Sequence, residues 1–376
     1  MKLVVNVKMK PTAEQAAALR RTLEICNVAC NWLSGEGWRT GILRQYDLHK
    51  LAYRSVRDRF GLAAQATVRC IAKVADAYKL DRKARRFFRK HAAQPYDDRI
   101  VRFCSDDTVS IWTVGGRLKI PCTPGDRQRA LLPFRRGEVD LMLVRGKWFL
   151  ACVCDVDEPE LMKATDVLGI DLGLVHIATD STGQSFSGEA VQENRRRFTH
   201  RRRNLQRKGT RSARRKLQNL SGKQARFQKD VNHRVSKALV AKARTLPAAI
   251  ALEDLKGIRL RVKARRRQRA TLSNWGFHQL RSFLSYKATL AGLPIVLVAP
   301  RHTSQACPAC GFVAKANRKT RDHFTCGACG FAGAADHIAA LNIRTAGFKA
   351  RAAVNSANGD EVGAVSHLAP VTSPAL

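Results

Sequence analysis

The sequence predicts a multidomain α+β protein, and three observations carry that prediction. After one short strand, apolar residues fall at helical spacing through most of the first ninety positions. Alternating segments punctuated by Gly and Pro then fill residues 100–154. From residue 166 the pattern becomes strands first, then helix and strand in alternation, which implies an α/β sheet.

Residues 2–9, KLVVNVKM, alternate as a strand does and are stopped by Pro11. Thr12 with Gln15 makes a capping box, and apolar residues at 16, 19, 23, 26 and 30 continue at helical spacing. A second helix is expected over roughly 62–90, with Gln65, Arg69 and Lys73 recurring on one face. Such a stripe reads equally as solvated surface or as nucleic-acid contact. VSIWTVGGRLKIPC and EVDLMLVRGKWFLACVC read as hairpins of a small barrel or sheet that the first strand would complete. DVLGIDLGLVHIATD supplies two strands around a glycine turn, and QSFSGEA a third. About fifty basic helical residues come next, then the buried strand AAIALED, an amphipathic helix ending at Gly292, and the buried strand LPIVLVAP. A cysteine segment precedes the last helix, ADHIAALNIRTA, which Gly347 is expected to close. The remainder lacks period and is expected to be a poorly ordered tail.

The charge balance restricts the partners. Against 68 Lys+Arg stand 30 Asp+Glu, a net charge of +38. Such a chain repels itself unless a polyanion neutralises it, and nucleic acid is the polyanion expected. No uncharged apolar run is long enough to span a bilayer, and MKLVVNVKMKPT lacks a signal-peptide core. The expectation is a cytoplasmic protein without a membrane partner, nucleoid-associated if bacterial. Of eleven cysteines, seven (Cys26, Cys30, Cys70, Cys104, Cys122, Cys152 and Cys154) are scattered among apolar neighbours. That suits a reducing compartment and not a disulfide framework.

Cys307, Cys310, Cys326 and Cys329 form C-x2-C-x15-C-x2-C. Two such turns close a tetrahedron of thiolates around zinc, and a complete ligand set makes that zinc structural. Lys315, Arg318, Lys319 and Arg321 on the same ribbon offer a grip on a nucleic-acid backbone.

Three acids stand out. Asp171 lies within the apolar strand VLGIDLGL, and Glu253 ends AAIALED; an ionised carboxylate there needs a partner or an open site. Asp336 opens the last helix, where Asp is also a common N-cap. Together they fall where a five-stranded RNase H-like sheet brings three carboxylates to one end, an oxygen donor set for two Mg²⁺ ions. Asp254 points to the opposite face from Glu253 and is expected to cap the next segment. His337 reads as surface, and Asp180 as a turn residue.

GIDLGL, ALEDLKG, TSQACPACG with FTCGACG, and ADHIAALNI, in this order, resemble the RuvC nuclease domain of TnpB proteins. These are encoded by insertion sequences and are similar to compact type V CRISPR effectors. KPTAEQAAAL, NVACNWL, IAKVADAYK and WGFHQLRSFLSYKA fit the same family, so the resemblance covers about residues 1–346. It implies an N-terminal helical (REC-like) insertion in a β-barrel (WED-like), then an RNase H-like α/β RuvC domain with an inserted zinc ribbon. The implied boundaries are 1–10 for the first barrel strand, 11–95 helical, 96–160 barrel, 161–302 RuvC with a basic helical insertion, 303–334 zinc ribbon, 335–347 final RuvC helix and 348–376 tail.

The resemblance further implies an RNA-guided DNA endonuclease. Its partners would be a guide RNA from its own mobile element and double-stranded target DNA; the oligomeric state is not read from the sequence, a monomer on the RNA being the expectation. It would recognise a short target-adjacent motif and cut both strands at one Mg²⁺-dependent site held by Asp171, Glu253 and Asp336. The face of Gln65, Arg69 and Lys73 would lie near the target-adjacent motif. A catalytically impaired RNA-guided DNA-binding protein and a guide-independent RNase H-like transposase are the alternatives. One departure stands out: the family commonly has Asn two places after its last Asp, and here Ile338 occupies that place.

Two basic runs hold much of the excess charge. Residues 194–216, with Arg201, Arg202 and Arg203, and residues 259–269, with Arg265, Arg266 and Arg267, contain twelve and seven Lys/Arg. They are expected to contact guide-RNA and heteroduplex phosphates.

Overall fold

The computed structural model describes residues 1–255 and 276–357. The expectations for Arg265, Arg266 and Arg267, and for the end of the tail, lie outside the described residues. The chain divides into two compact units, Met1–Asp157 and a second beginning at Glu158.

In the first unit β1 (Lys2–Met9) leads into α1 (Ala13–Thr40) through the expected capping box. The Gln15 amide donates to Thr12 Oγ1 at 3.3 Å, and the Thr12 amide to Gln15 Oε1 at 3.1 Å. Helices α2 (Gln45–Phe60) and α3 (Ala64–Leu80) pack on α1 around Cys26, Leu33, Leu48, Ile71 and Tyr78.

The helix expected to reach residue 90 ends ten residues earlier, for a reason that lies in α1. Its polar side chains hold the following segment extended across it. Asn31 Nδ2 donates to the Phe88 carbonyl (2.9 Å) while Asn31 Oδ1 accepts from the Phe88 amide (2.7 Å). Ser34 Oγ donates to Arg86 O (2.6 Å), and Asn27 Nδ2 to Ala92 O (2.9 Å).

The strands of this unit are β2 (Gln94–Tyr96), β3 (Val101–Phe103), β4 (Thr108–Thr113), β5 (Gly116–Thr123), β6 (Arg135–Val144) and β7 (Lys147–Asp155); the short helix α4 (Asp126–Leu131) lies between β5 and β6. They form one seven-stranded sheet in the order β2-β6-β7-β1-β5-β4-β3. Strand β1 runs antiparallel to β7 along its whole length, from Lys2 opposite Asp155 to Met9 opposite Trp148. The sheet curls until its two edges approach, where Tyr96 Oη at the end of β2 donates to Trp112 O in β4 at 3.2 Å. Alternate side chains, among them Val5, Val7, Leu141, Leu150 and Cys152, fill the interior.

The second unit is a five-stranded mixed sheet in the order β10-β9-β8-β11-β12. Strands β8 (Asp166–Asp171), β9 (His176–Asp180) and β10 (Ser185–Ser187) are antiparallel neighbours. Strands β11 (Ala248–Glu253) and β12 (Ile295–Val298) continue the sheet in parallel to β8. Between β10 and β11 runs a basic helical hairpin, α5 (Glu189–Lys208) and α6 (Arg211–Thr245), turned by Gly209 at φ +65°. Helix α7 (Phe277–Leu290) precedes β12. The hairpin β13 (His323–Thr325) and β14 (Ala332–Ala334) precedes the final helix, α8 (Ala335–Ala357).

The two faces of the sheet are covered by different elements. Leu168, Ile170, Ile250 and Leu252 face α6 and α7, packing on Leu239, Ala243, Leu280 and Leu284. Val167, Ala249 and Ala251 face α8 and pack on Ile343. The α8 face is built from small residues, so the backbones approach closely. A Cβ on Gly169 would sit 2.2 Å from Ala340 O, and one on Gly347 would sit 2.7 Å from Ala251 Cβ and 2.8 Å from Val167 Cγ1. This corrects the boundary expected at Gly347. The glycine lies inside a helix that continues to Ala357, and its missing side chain serves packing and not termination.

Candidate metal centres

The period-two alternation of a strand decides which acids meet. On β8, Val167, Gly169 and Asp171 share one face; on β11, Ala249, Ala251 and Glu253 share the same one, the face covered by α8. Parallel pairing sets Leu252 beside Ile170, so the next residues, Glu253 and Asp171, leave the sheet side by side at its carboxyl end. Helix α8 begins at that end, with Asp336 as its second residue. A Cβ on Gly173 would lie 3.9 Å from Asp336 Oδ2, so the third acid overhangs the loop that leaves Asp171.

The electrostatics agree with this convergence. Burial pushes the Asp171 carboxyl up to about 7, and the charges of Glu253 and Asp336 push in the same direction. The Arg318 guanidinium opposes them and lies 3.7 Å from Asp336 Oδ1. Burial also raises Glu253, against a hydrogen bond of 2.6 Å donated by Thr303 Oγ1 to Glu253 Oε1. A buried acid such as Asp171, whose neighbouring carboxylates also raise its proton affinity, marks a place that favours a cation, and an all-oxygen donor set suits a hard divalent one. Among the described residues, however, the only cluster whose ligand atoms all lie within 4.8 Å of one another is the cysteine quartet; the carboxylates stand wider apart.

Cys307 Sγ and Cys329 Sγ are 3.6 Å apart, as are Cys310 Sγ and Cys326 Sγ. Zn–S bonds of about 2.3 Å in a tetrahedron require S···S separations of about 3.8 Å, so the quartet fits zinc. Each C-x-x-C turn is closed the same way. The Gly311 amide donates to Cys307 O (2.9 Å) and the Gly330 amide to Cys326 O (3.1 Å), with both glycines left-handed at φ +78° and +74°. Amides from Cys329 and Ala328 draw the Cys326 thiol down to about 6, toward the thiolate a metal needs.

Two residues that sequence reasoning left unassigned hold this region together. Buried Asn317 donates to Gln305 O (2.9 Å) and Phe312 O (3.2 Å) on one turn and accepts from the Gly327 amide (3.0 Å) on the other. Thr303, just before the first thiol, ties the chain to Glu253. A lone Asn in a polar loop carries no pattern by which sequence would find it, and Thr303, although part of TSQACPACG, has nothing local that names its partner. Ile338, the departure from the family pattern, is 2% exposed and packs with Phe324, Cys307 and Cys326. It is an apolar seal between α8 and the ribbon.

The other expected residues have distinct places. Asp254 pairs with Arg281 at 2.8 Å, and the segment it is expected to cap lies outside the described residues. Asp180 is the turn residue expected, accepting from the Thr182 and Gln184 amides, and it also forms a buried ion pair with Lys242 at 2.5 Å. His337 is half-buried over Ser181 and Gly183, not on the open surface. Gln65, Arg69 and Lys73 share one face of α3, and that face is tied to its own unit. Gln65 and Arg69 bond Asp97 and Glu138, and Lys73 donates to Asn27 at 2.7 Å. Arg201, Arg202 and Arg203 are exposed on α5.

Known proteins resemble the chain on both sides of residues 257–276. Residues 151–256 match a family model described as a probable transposase, OrfB of IS605, and residues 277–343 match the Cas12f1-like TNB domain. The chain is 31% identical over 217 residues to a CRISPR-associated endodeoxyribonuclease Cas12f1 of Sulfoacidibacillus thermotolerans, covering 53% of this chain and 50% of that one. It is 28% identical to the putative RNA-guided DNA endonuclease InsQ of Escherichia coli strain K12, covering 54% of each. A TnpB-like protein of Methanocaldococcus jannaschii is 32% identical, over 34% of this chain and 45% of that one. The chain therefore spans about half the length of the curated relatives it matches. In fold it resembles the Cas12f1 chain of a Cas12f1–sgRNA–target DNA complex, with a TM-score of 0.60 at 15% identity over 89% of this chain and 83% of that chain. Residues 151–256 are thus similar to OrfB-type transposases, and residues 277–343 to the Cas12f1-like TNB domain. The relatives the chain matches in part include proteins named TnpB-like and Cas12f1.

Proposed function

We propose that this chain is an RNA-guided DNA endonuclease with one RNase H-like, Mg²⁺-dependent site. The observation that carries the reading is the convergence of Asp171, Glu253 and Asp336 at the carboxyl end of the five-stranded sheet, on the face covered by α8. Two Mg²⁺ ions, when bound, would supply a nucleophilic water and stabilise the leaving oxygen of a phosphodiester. The protein's part would be to present the three carboxylates at one end of the sheet, with the Arg318 charge beside Asp336. The exposed arginines 201–203 on α5 would neutralise phosphates of the guide or heteroduplex. In this reading the barrel with α1–α3 is the WED-like and REC-like part, which recognises the target-adjacent motif. The names of the relatives support the same activity.

Two experiments test it. Protein purified from its host is expected to carry a discrete RNA, identified by sequencing. With that RNA and Mg²⁺ it is expected to cut a plasmid bearing the matching target. Asp171→Ala should keep the RNA and lose the cut. A wild-type complex that binds target without cutting would establish the impaired, binding-only alternative; cutting without RNA would establish the transposase-like one.

A further inference from the structure

We infer that Thr303 is a positioning residue for Glu253, and that residues 300–306 form a strap through which α8 and the zinc ribbon set that carboxylate's orientation. This rests on the nuclease reading of the carboxylates and adds a residue to it.

Four observations support the strap. Thr303 is 8% exposed, and its hydroxyl donates to one oxygen of Glu253 at 2.6 Å, leaving the other oxygen for a cation. The strap is fastened from the opposite side by Asn342 of α8, whose Nδ2 donates to Thr303 O (2.7 Å) and Ala306 O (2.8 Å). Residue 307 is the first zinc thiol, so the ribbon anchors the strap's far end. Finally, His302 holds a left-handed backbone, φ +66°, stabilised by the Gln305 and Ala306 amides, which both donate to His302 O at 2.9 Å. A left-handed non-glycine residue is uncommon, and here two backbone bonds close the turn that carries it.

The physical consequence concerns entropy and aim. A free Glu side chain loses rotamer freedom when it binds a cation; one already pinned by a buried hydroxyl has lost it on folding. Partners that orient a ligand typically change metal affinity by about 10–100-fold when removed. The same α8 supplies Asp336 and, through Asn342 and Thr303, the orientation of Glu253.

The test is a Mn²⁺ titration of the zinc-loaded full chain, read from the electron paramagnetic resonance signal of free Mn²⁺. Asp171→Ala sets the background, and zinc content confirms that each variant retains its ribbon. Thr303→Val keeps the shape and removes the donor, so its Mn²⁺ dissociation constant is expected to rise about tenfold. Thr303→Ser restores the donor and should return to within about threefold of wild type. Thr303→Ala replaces the valine variant if the latter loses zinc. Wild-type affinity in the donor-less variant, with binding lost in Asp171→Ala, would overturn the strap and leave the carboxylate site standing. Equal affinity in wild type and Asp171→Ala would overturn both.

Discussion

The zinc ribbon and the carboxylate cluster lie at the same end of α8, yet they are built on opposite rules. In the ribbon four soft donors sit within 4.8 Å of one another, and twin backbone turns complete the shell from within the segment. In the cluster three hard donors come from two strands and a helix, stand wider apart, and take other partners, Thr303 and Arg318. A closed shell commits its metal to folding; an open one leaves positions for water and substrate. On the proposed reading the two donor sets would suit ions of different hardness, a soft one for the thiols and a hard one for the carboxylates.

The contrast breaks most visibly at the ribbon. Cys326→Ser is expected to lose zinc, and with it on the order of 10 kcal/mol of binding free energy that helps fold the segment. Elemental analysis together with limited proteolysis near residues 307–334 checks this. A protected, zinc-free ribbon would show that the quartet does not depend on metal.

A smaller effect, of opposite sign, is expected at the cluster. Asp171 is held at about 7 in the folded chain against an ordinary value of 3.8. An acid raised on folding costs nothing while protonated in both states, below about pH 4. The cost grows between about 4 and 7 and is complete above 7. In magnesium-free buffer Asp171→Asn should therefore stabilise the protein at pH 8, by on the order of 3 kcal/mol, and by well under about 1 kcal/mol at pH 4. Thermal unfolding at the two pH values measures the difference. Equal stabilisation at pH 4 and pH 8 would mean that ionisation of the buried acid is not its cause.

The smallest effect sharpens the join between the two regions. Ile338→Asn restores the residue common in the family but places an amide among Phe324, Cys307 and Cys326. A loss of about 2 kcal/mol is expected from the vanished apolar contact and the buried polar group. Thermal unfolding with zinc quantitation checks it; a neutral result would show that the seal tolerates a polar partner.

Much of this architecture is legible in the sequence because its signals are local. The quartet is readable from spacing, since two C-x-x-C turns carry their own geometry. The Thr12–Gln15 cap is readable for the same reason. Asp171 and Glu253 are conspicuous because an acid contradicts its apolar strand. Other features depend on what a distant segment offers. The end of α3 at Leu80 is set by Asn27, Asn31 and Ser34 on α1. The role of Gly347 inside α8 is set by Val167 and Ala251 across the interface. The stripe of Gln65, Arg69 and Lys73 has helical spacing, but nothing local reveals that Asp97, Glu138 and Asn27 face it.

By itself, then, the sequence determined the residue chemistry: a thiol quartet suited to a soft ion, three out-of-place acids, and a cationic excess suited to a polyanion. Only the tertiary structure decided that Thr303 grips Glu253, that Asp254 turns to Arg281, and that Ile338 seals the helix to the ribbon. The physical reason is one of range. Spacing and alternation act over a few residues, whereas a hydrogen bond between positions some fifty apart exists only once strands pair and helices pack.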